Sequence, residues 1–336
     1  SLFWAKKQAE ERNQHALARL IARILEYSTT ERTTTYYHSW IDDSTLDSHI
    51  HSNYALGRTG TGRLSSYDLN LQNMPPIVRD MVIPSEGYDV LVSADFKQIE
   101  LVVAAYLSGD PVMCDWIRRR LDIHSIMASR VLGLPEPQTK DEFDRFKREH
   151  DLERQVGKKA DFATIYGVTD ETLSWQVFVE TDGKIWLPPS ETQPYIDMFF
   201  RTFSRYKAYM GEIVQKIARR EWITSPFGRL WFFDDDEAGH RKGFNYPTQA
   251  TASDLTISAL KRLWWALRKD PVARIVGEVH DSIIFEARRR DIKKLVDMIH
   301  SICENPDTKA FGFELSVPLS IEIKMGETLG NLVQIA

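Results

Sequence analysis

RQVGKKADFATIYG, residues 154–167, decides how this chain is read. Arg154, Lys158, Phe162 and Tyr166 stand four residues apart, and residues at i and i+4 are neighbours on a helix. At 3.6 residues per turn such a stripe drifts by only about 40° per step, so one extended ligand reaches all four. Two cations come first, then two aromatic rings. A triphosphate followed by a sugar and a base makes demands in the same order: charge, then flat apolar surface. The plain alternative is an amphipathic helix with Phe162 and Tyr166 in a core and Arg154 and Lys158 in water. The stripe alone leaves both readings open.

The bulk numbers narrow the class. The chain has 336 residues, 43% hydrophobic and 27% charged, which is ample for a buried core. Two cysteines are too few for a disulfide framework or a cysteine-based zinc site, which favours a reducing compartment. No apolar run approaches the roughly 18 residues of a membrane span, and no signal peptide is visible. A net charge of −5 argues against a surface coated in nucleic acid, but basic clusters such as Arg154–Lys159 and Arg219–Arg220 leave room for local fields.

Along the chain, residues 4–27 carry leucines and isoleucines at helical spacing, and 28–76 read as polar and irregular. Tyr88–Ala94 is a strand candidate, followed by a helical pattern over 96–107. From 111 to about 222 the chain reads as largely helical, and 248–268 as a further helix. Arg274–Val279 and Ser282–Glu286 are two strands separated by His280–Asp281, the two-residue spacing of a hairpin. Residues 291–304 read as helix and Leu319–Met325 as strand. Strands at both ends with helices between them predict an α+β fold, a sheet domain with a helical insertion.

Two carboxylates stand out. Asp95 is expected to end the strand Tyr88–Ala94, and Asp281 to sit on the hairpin tip. A carboxylate held by a rigid sheet is well placed for a hard cation. Singly, each reads equally well as a cap or turn residue.

Together these pieces resemble one family. SADFKQIEL (93–101), RQVGKKADFATIYG (154–167) and GEVHDSIIF (277–285) are similar to motifs A, B and C of the family A DNA polymerases. TGRLSS (61–66) with NLQNMP (70–75), and NYPTQATASD (245–254), match two further blocks. The resemblance runs from about residue 50 to the C-terminus, in the family's order.

It implies a right-hand polymerase fold, with an antiparallel-sheet palm (51–110 and 236–336), a helical fingers insertion (111–235) and a residual thumb segment at 1–50, the thumb being largely absent. The implied activity is template-directed DNA synthesis on a primer 3′-hydroxyl with two Mg²⁺ ions, Mn²⁺ serving as a substitute. Asp95, Asp281 and the Phe96 carbonyl would hold the metals, and paired metals about 3.5–4 Å apart stabilise attacking and leaving oxygens. Lys158 joins Asp95 and Asp281 as the catalytic set. Arg154, Lys158 and His124 match the cations near the incoming triphosphate. Phe162 and Tyr166 match the aromatics that pack on nucleotide and templating position, and Gln98 joins the nucleotide site. Glu100 matches the residue beneath the sugar, where a 2′-hydroxyl would collide. Arg63, Arg241, Asn245, Gln249 and His280 match positions near the primer–template, where minor-groove acceptors lie in similar places in every base pair.

Departures from the family pattern are Val102 for an arginine, Lys97 for a small polar residue, Asp161 for Asn, Ala163 for Gly and Ser282 for Glu. Only 60 residues precede TGRLSS, which leaves a thumb stub and no room for a 3′→5′ exonuclease. The expectation is therefore synthesis without proofreading in this chain, which begins at Ser1 as a processed or excised piece, or with a separate chain supplying thumb or exonuclease. Expected partners are primer–template DNA and dNTPs, with no membrane. The expected setting is the cytoplasm of a bacterial or phage-infected cell, an organelle being the second choice. Two other readings compete. One is a non-catalytic or partner-dependent subunit of a split polymerase. The other is a single-subunit RNA polymerase, which Glu100 and Phe162 disfavour.

Overall fold

The computed structural model describes residues 2–44, 47–181, 183 and 185–336. Residues 45 and 46, within the first expected segment, and 182 and 184, within the expected helical insertion, lie outside the described residues. The chain divides into two compact units. One comprises Ser1–Leu25, Leu101–Thr224 and Leu230–Thr248, and the other Glu26–Glu100, Ser225–Arg229 and Gln249–Ala336. The class is α+β, as the order of strands and helices predicts.

The second unit is built on a five-stranded antiparallel sheet. Its order is Ala273–Val279, Ser282–Ala287, Val90–Phe96, Ile321–Gly326 and Val333–Gln334. The central strand, Val90–Phe96, has all but one of its residues buried. It is buried along its length because both faces are covered, and its polar residues are Ser93 and Asp95. Its register with the hairpin runs from Val90↔Ala287 at one end to Asp95↔Ser282 at the other. On its other edge Phe96 faces Ile321. The expected strand Tyr88–Ala94 is thus displaced by two residues, and Asp95 lies inside the strand rather than at its end. A turn closed by Tyr88 N–H on the Ser85 carbonyl occupies the expected start. Pairing on both edges draws Asp95 and Phe96 into the ladder.

The first unit is helical between Pro111 and Ala218, as expected. Asp110 shows how the insertion is tied together. One carboxylate oxygen caps helix Pro111–Arg118, accepting from the Val112 and Met113 N–H groups at 3.0 Å each. The other accepts from the Arg205 and Tyr206 N–H groups at the start of helix Ser204–Ala218. One buried side chain therefore satisfies orphan donors of two helices.

Two sequence expectations near the N-terminus change. Residues 4–27 form parts of two helices, Leu2–Glu11 and His15–Ser44, broken where Asn13 takes a left-handed φ of 56°. Residues 28–44, expected to be irregular, continue the second helix. Its threonine-rich run has poor helix propensity, but Thr30, Thr33 and Thr35 return their hydroxyls to carbonyls four residues back. Trp40 packs with Met74 and Val78 to anchor that end. The helix expected at 248–268 starts earlier, spanning Glu237–Lys269. No described helix is long and apolar enough to cross a membrane.

Candidate active site

The site residues expected from sequence fall into two groups, one in each unit. In the sheet unit, Asp95, Phe96, Gln98, Glu100, Arg63, Gln249, His280 and Asp281 are found. Their placement begins with the hairpin. Val279 pairs with Ser282, so His280 and Asp281 form a two-residue loop, and His280 takes the left-handed φ of 60° that such a turn needs. The Phe96 N–H donates to the Asp281 carbonyl at 3.1 Å, and the Ser282 hydroxyl donates to Asp95. Two aspartates far apart in sequence are therefore held side by side by backbone bonds.

Their electrostatics are those of a site short of positive charge. Burial first pushes the Asp281 carboxyl up to about 6; the Arg63 guanidinium opposes this, while the charges of Glu100 and Asp95 add to it. Asp281 Oδ1 is buried with no hydrogen-bond partner among the described residues. Leaving a buried acceptor unsatisfied costs about 1–3 kcal/mol, so the position is built for something that completes it. The donor set is two carboxylates with a main-chain carbonyl beside them, all hard oxygen, which fits Mg²⁺. Among the described residues it does not extend to three or more acidic, histidine or cysteine side chains.

Arg63 and Glu100, from separate motifs, form a partly buried ion pair. The loop carrying Arg63 is seated from below. Gly62, at φ +76°, lies against the Arg229 guanidinium, which a Cβ there would strike at 2.4 Å. Arg229 in turn makes two 2.8 Å bonds to Asp254. His280 is shifted down, first by burial and then by Arg63, with Glu100 opposing. Gln98 has a φ of 52°, marking the turn from strand to helix Ile99–Ser108.

Sequence reasoning missed Glu278. It is 5% exposed, and Gln72 Nε2 donates to it at 2.7 Å. Burial first, then the negative charge of Asp281, pushes its carboxyl up to about 7, against the Gln72 bond and Arg63. The pairing of NLQNMP with the hairpin was invisible in sequence because it joins residues 206 positions apart.

In the helical unit, helix Asp151–Ile165 carries the stripe, with Tyr166 as its C-cap residue. The core side of this helix is Val156, Gly157, Ala160, Asp161, Ala163, Thr164 and Ile165. Gly157 sits there because its helix approaches His124 and Ala128 closely, where a Cβ would meet atoms at 3.3 Å. The Tyr206 hydroxyl donates to the Ile165 carbonyl at 2.8 Å, occupying an orphan acceptor at the helix end. Lys158 is exposed, while Arg154, Phe162 and Tyr166 are half-buried. The rings are therefore not core residues, and the plain amphipathic reading does not describe them.

Arg154 is pinned by Asp122, through Nε at 2.8 Å and Nη2 at 3.3 Å. Burial resists ionisation of Asp122, but the Arg154 bonds and charge outweigh it and hold its carboxyl low. His124 is fully buried, its ring 5.5 Å from that of Phe162. Its Nδ1 lies 2.7 Å from Asp161 Oδ2, and its Nε2 has no partner among the described residues. Burial pushes the Asp161 carboxyl up, with the His124 bond opposing. Asp161 was flagged in sequence only as a departure from Asn; here it is the partner of His124. Arg241 and Asn245 lie on helix Glu237–Lys269, Arg241 ion-paired with Glu237 and Asn245 with a buried Oδ1 that has no partner among the described residues. Gln249 follows four residues later on the same helix, in the sheet unit.

Comparison with known proteins agrees with the motifs. The thermostable DNA polymerase I of Thermus aquaticus is 29% identical over 324 residues, which are 92% of this chain and 36% of that protein. DNA polymerase I of Lactococcus lactis subsp. lactis is 28% identical over 329 residues, 93% of this chain and 35% of that protein. The chain thus spans little more than a third of the length of these relatives. The POL domain of Pol1 from M. smegmatis, solved in complex with DNA primer-template and dNTP, shares the fold. Its TM-score is 0.81 at 22% identity, over 97% of this chain and 55% of that one. The model of the family described as DNA polymerase family A matches residues 6–331. With the motif blocks, the antiparallel sheet and this match in agreement, the chain belongs to DNA polymerase family A.

Proposed function

We propose that this chain is the part of a DNA-directed DNA polymerase that adds deoxyribonucleotides to a primer 3′-hydroxyl under the direction of a template. The observation that carries the proposal is the placement of Asp95 on the central strand beside Asp281 on the adjoining hairpin loop, with a buried Asp281 oxygen lacking a partner among the described residues. The primer–template and dNTP seen with the M. smegmatis domain are the ligands assigned to this chain. Residues 51–110 and 236–336 are assigned to the palm, 111–235 to the fingers and 1–50 to a residual thumb segment. Proofreading is assigned to none of these residues.

Asp95, Asp281 and the Phe96 carbonyl would hold Mg²⁺, as two ions, with Mn²⁺ able to substitute. When bound, the metal supplies Lewis-acid activation of the primer hydroxyl and charge neutralisation on the triphosphate. The chain's own side chains do the positioning, which is most of what phosphoryl transfer asks of a protein. Lys158 and Arg154 hold the triphosphate, with His124 behind them. Phe162 and Tyr166 present flat surface to nucleobase and templating position. Glu100 and Gln98 border the sugar. Arg63, Gln249, Asn245, Arg241 and His280 hold the primer–template duplex. The new bond joins the primer 3′-oxygen to the α-phosphorus, and the bond to pyrophosphate breaks.

The test is primer extension by the isolated chain with Mg²⁺ and either dNTPs or NTPs. Extension with dNTPs in preference to NTPs is expected. Preference for NTPs would replace the reading with RNA synthesis. No extension without a companion protein, and recovery with one, would show a subunit of a split enzyme. No extension under either condition would remove the catalytic reading.

A further inference from the structure

The last three turns of helix Glu237–Lys269 carry a second stripe, outside the site described above. Lys261, Trp264, Trp265, Arg268 and Lys269 are all exposed, while Ala259, Leu263 and Leu267 face the core. The spacing i, i+3, i+4, i+7, i+8 places the five on one helix face. Two adjacent tryptophans, 45% and 51% exposed, form an unusual surface feature for so large an apolar side chain. Their rings meet edge to face at 4.8 Å. The Arg268 guanidinium lies 4.8 Å from the Trp264 centroid and 5.7 Å from that of Trp265.

Charge says what this face fits. Between Asp254 and Asp270 the helix has no acidic residue. Asp254 is taken by Arg229, and Asp270 by Lys294 at 2.5 Å. Arg262 turns away to the Ile302 and Asn305 carbonyls. Among the described residues, Lys261, Arg268 and Lys269 make no ion pair with an acid. The face is therefore locally cationic in a chain whose net charge is −5. A second exposed aromatic pair, Trp222 and Phe232, differs in this respect: its cation, Arg220, is offset by Asp234 at 3.7 Å.

We infer that the Lys261–Lys269 face binds a single-stranded nucleic acid, its bases stacking on Trp264 and Trp265 and its phosphates meeting Lys261, Arg268 and Lys269. Stacking platforms flanked by cations take single strands without sequence preference, because every base has a π-face and every nucleotide a phosphate. A duplex, with its bases stacked inside, cannot use the tryptophans. An apolar protein helix would leave three cations facing apolar surface.

The test uses a 16-residue oligo-dT carrying a fluorophore and 5-iodouracil, with the full chain. Irradiation should cross-link the strand to a peptide containing Trp264 or Trp265. Changing both tryptophans to alanine should abolish that cross-link and weaken oligo-dT binding at this face at least about tenfold. Lys261→Gln with Lys269→Gln should lower the salt dependence by about 1.4 in log–log slope, two phosphates' worth. Melting temperatures should match wild type, since all four side chains are exposed. Cross-links that map only elsewhere, with unchanged affinity in the tryptophan double variant, would overturn the inference. So would concentration-dependent self-association that the double variant abolishes while oligo-dT binding stays the same, since the face would then bind a second copy.

Discussion

The two groups of candidate residues, one in each unit, are built in opposite ways. At the sheet end, Asp95 lies within a ladder paired on both sides, and Asp281 is held beside it through its own backbone carbonyl. Little freedom remains at either Cα. On helix Asp151–Ile165 the side chains are held unequally. Arg154 is clasped by Asp122, but Lys158 extends into solvent and two rings lie half-covered. The carboxylates proposed to hold an ion sit on or directly beside paired backbone. The groups proposed to reach a ligand of variable base are long or flat side chains. The comparison predicts that changes at the sheet end remove function outright, and that changes on the helix grade it.

Lys158→Ala breaks the helix side at its most exposed cation. A hydrogen bond to a charged group is worth roughly 1.5–3 kcal/mol. The expected loss is therefore about tenfold to a hundredfold in kcat/KM for dNTP, with the fold unchanged. Steady-state extension at varied dNTP checks it, and an unchanged kcat/KM would take Lys158 out of the site. A smaller effect is expected at Glu100, which sits between the two modes: its backbone opens helix Ile99–Ser108, and its side chain is tied to Arg63. Glu100→Ala should lower discrimination against ribonucleotides about tenfold, measured by competing NTP against dNTP on one primer.

The smallest effect concerns stability. The Glu278 carboxyl is raised from 4.5 to about 7 in the folded chain. Between those values the folded chain binds more protons than the unfolded one, so stability falls as pH rises through that window. Glu278→Gln keeps an acceptor for Gln72 and removes the ionisation. Denaturant melts at pH 5 and pH 8 should show this variant losing less stability across the window than wild type, the remaining loss coming from the raised Asp281 carboxyl, and standing about 2 kcal/mol above wild type at pH 8. An equal pH dependence in both proteins would mean that Glu278 ionises normally.

Much of this was legible in the sequence, for physical reasons that differ by region. The hairpin around Asp281 was readable because a two-residue loop between β-branched runs has few alternatives. The stripe at 154–166 was readable because helical spacing is local. Pairing partners were not. The two-residue displacement of strand Val90–Phe96 comes from neighbours far along the chain, and Asp95 moved from strand end to strand interior with it. The helix through residues 28–44 was hidden because threonine and tyrosine are poor local signals, whereas Trp40 finds its anchor at Met74 and Val78. Asp161 with His124, and Gln72 with Glu278, are contacts that only folding creates.

Above all, we propose that Asp95 and Asp281 together form a divalent-cation site. It is tested most directly by titrating Mn²⁺ into the wild-type chain and into Asp281→Asn, reading bound ion by electron paramagnetic resonance without any turnover. Wild type should bind Mn²⁺, and Asp281→Asn should bind it at least about tenfold more weakly while melting at a similar temperature. Equal affinity in the two proteins would contradict the account.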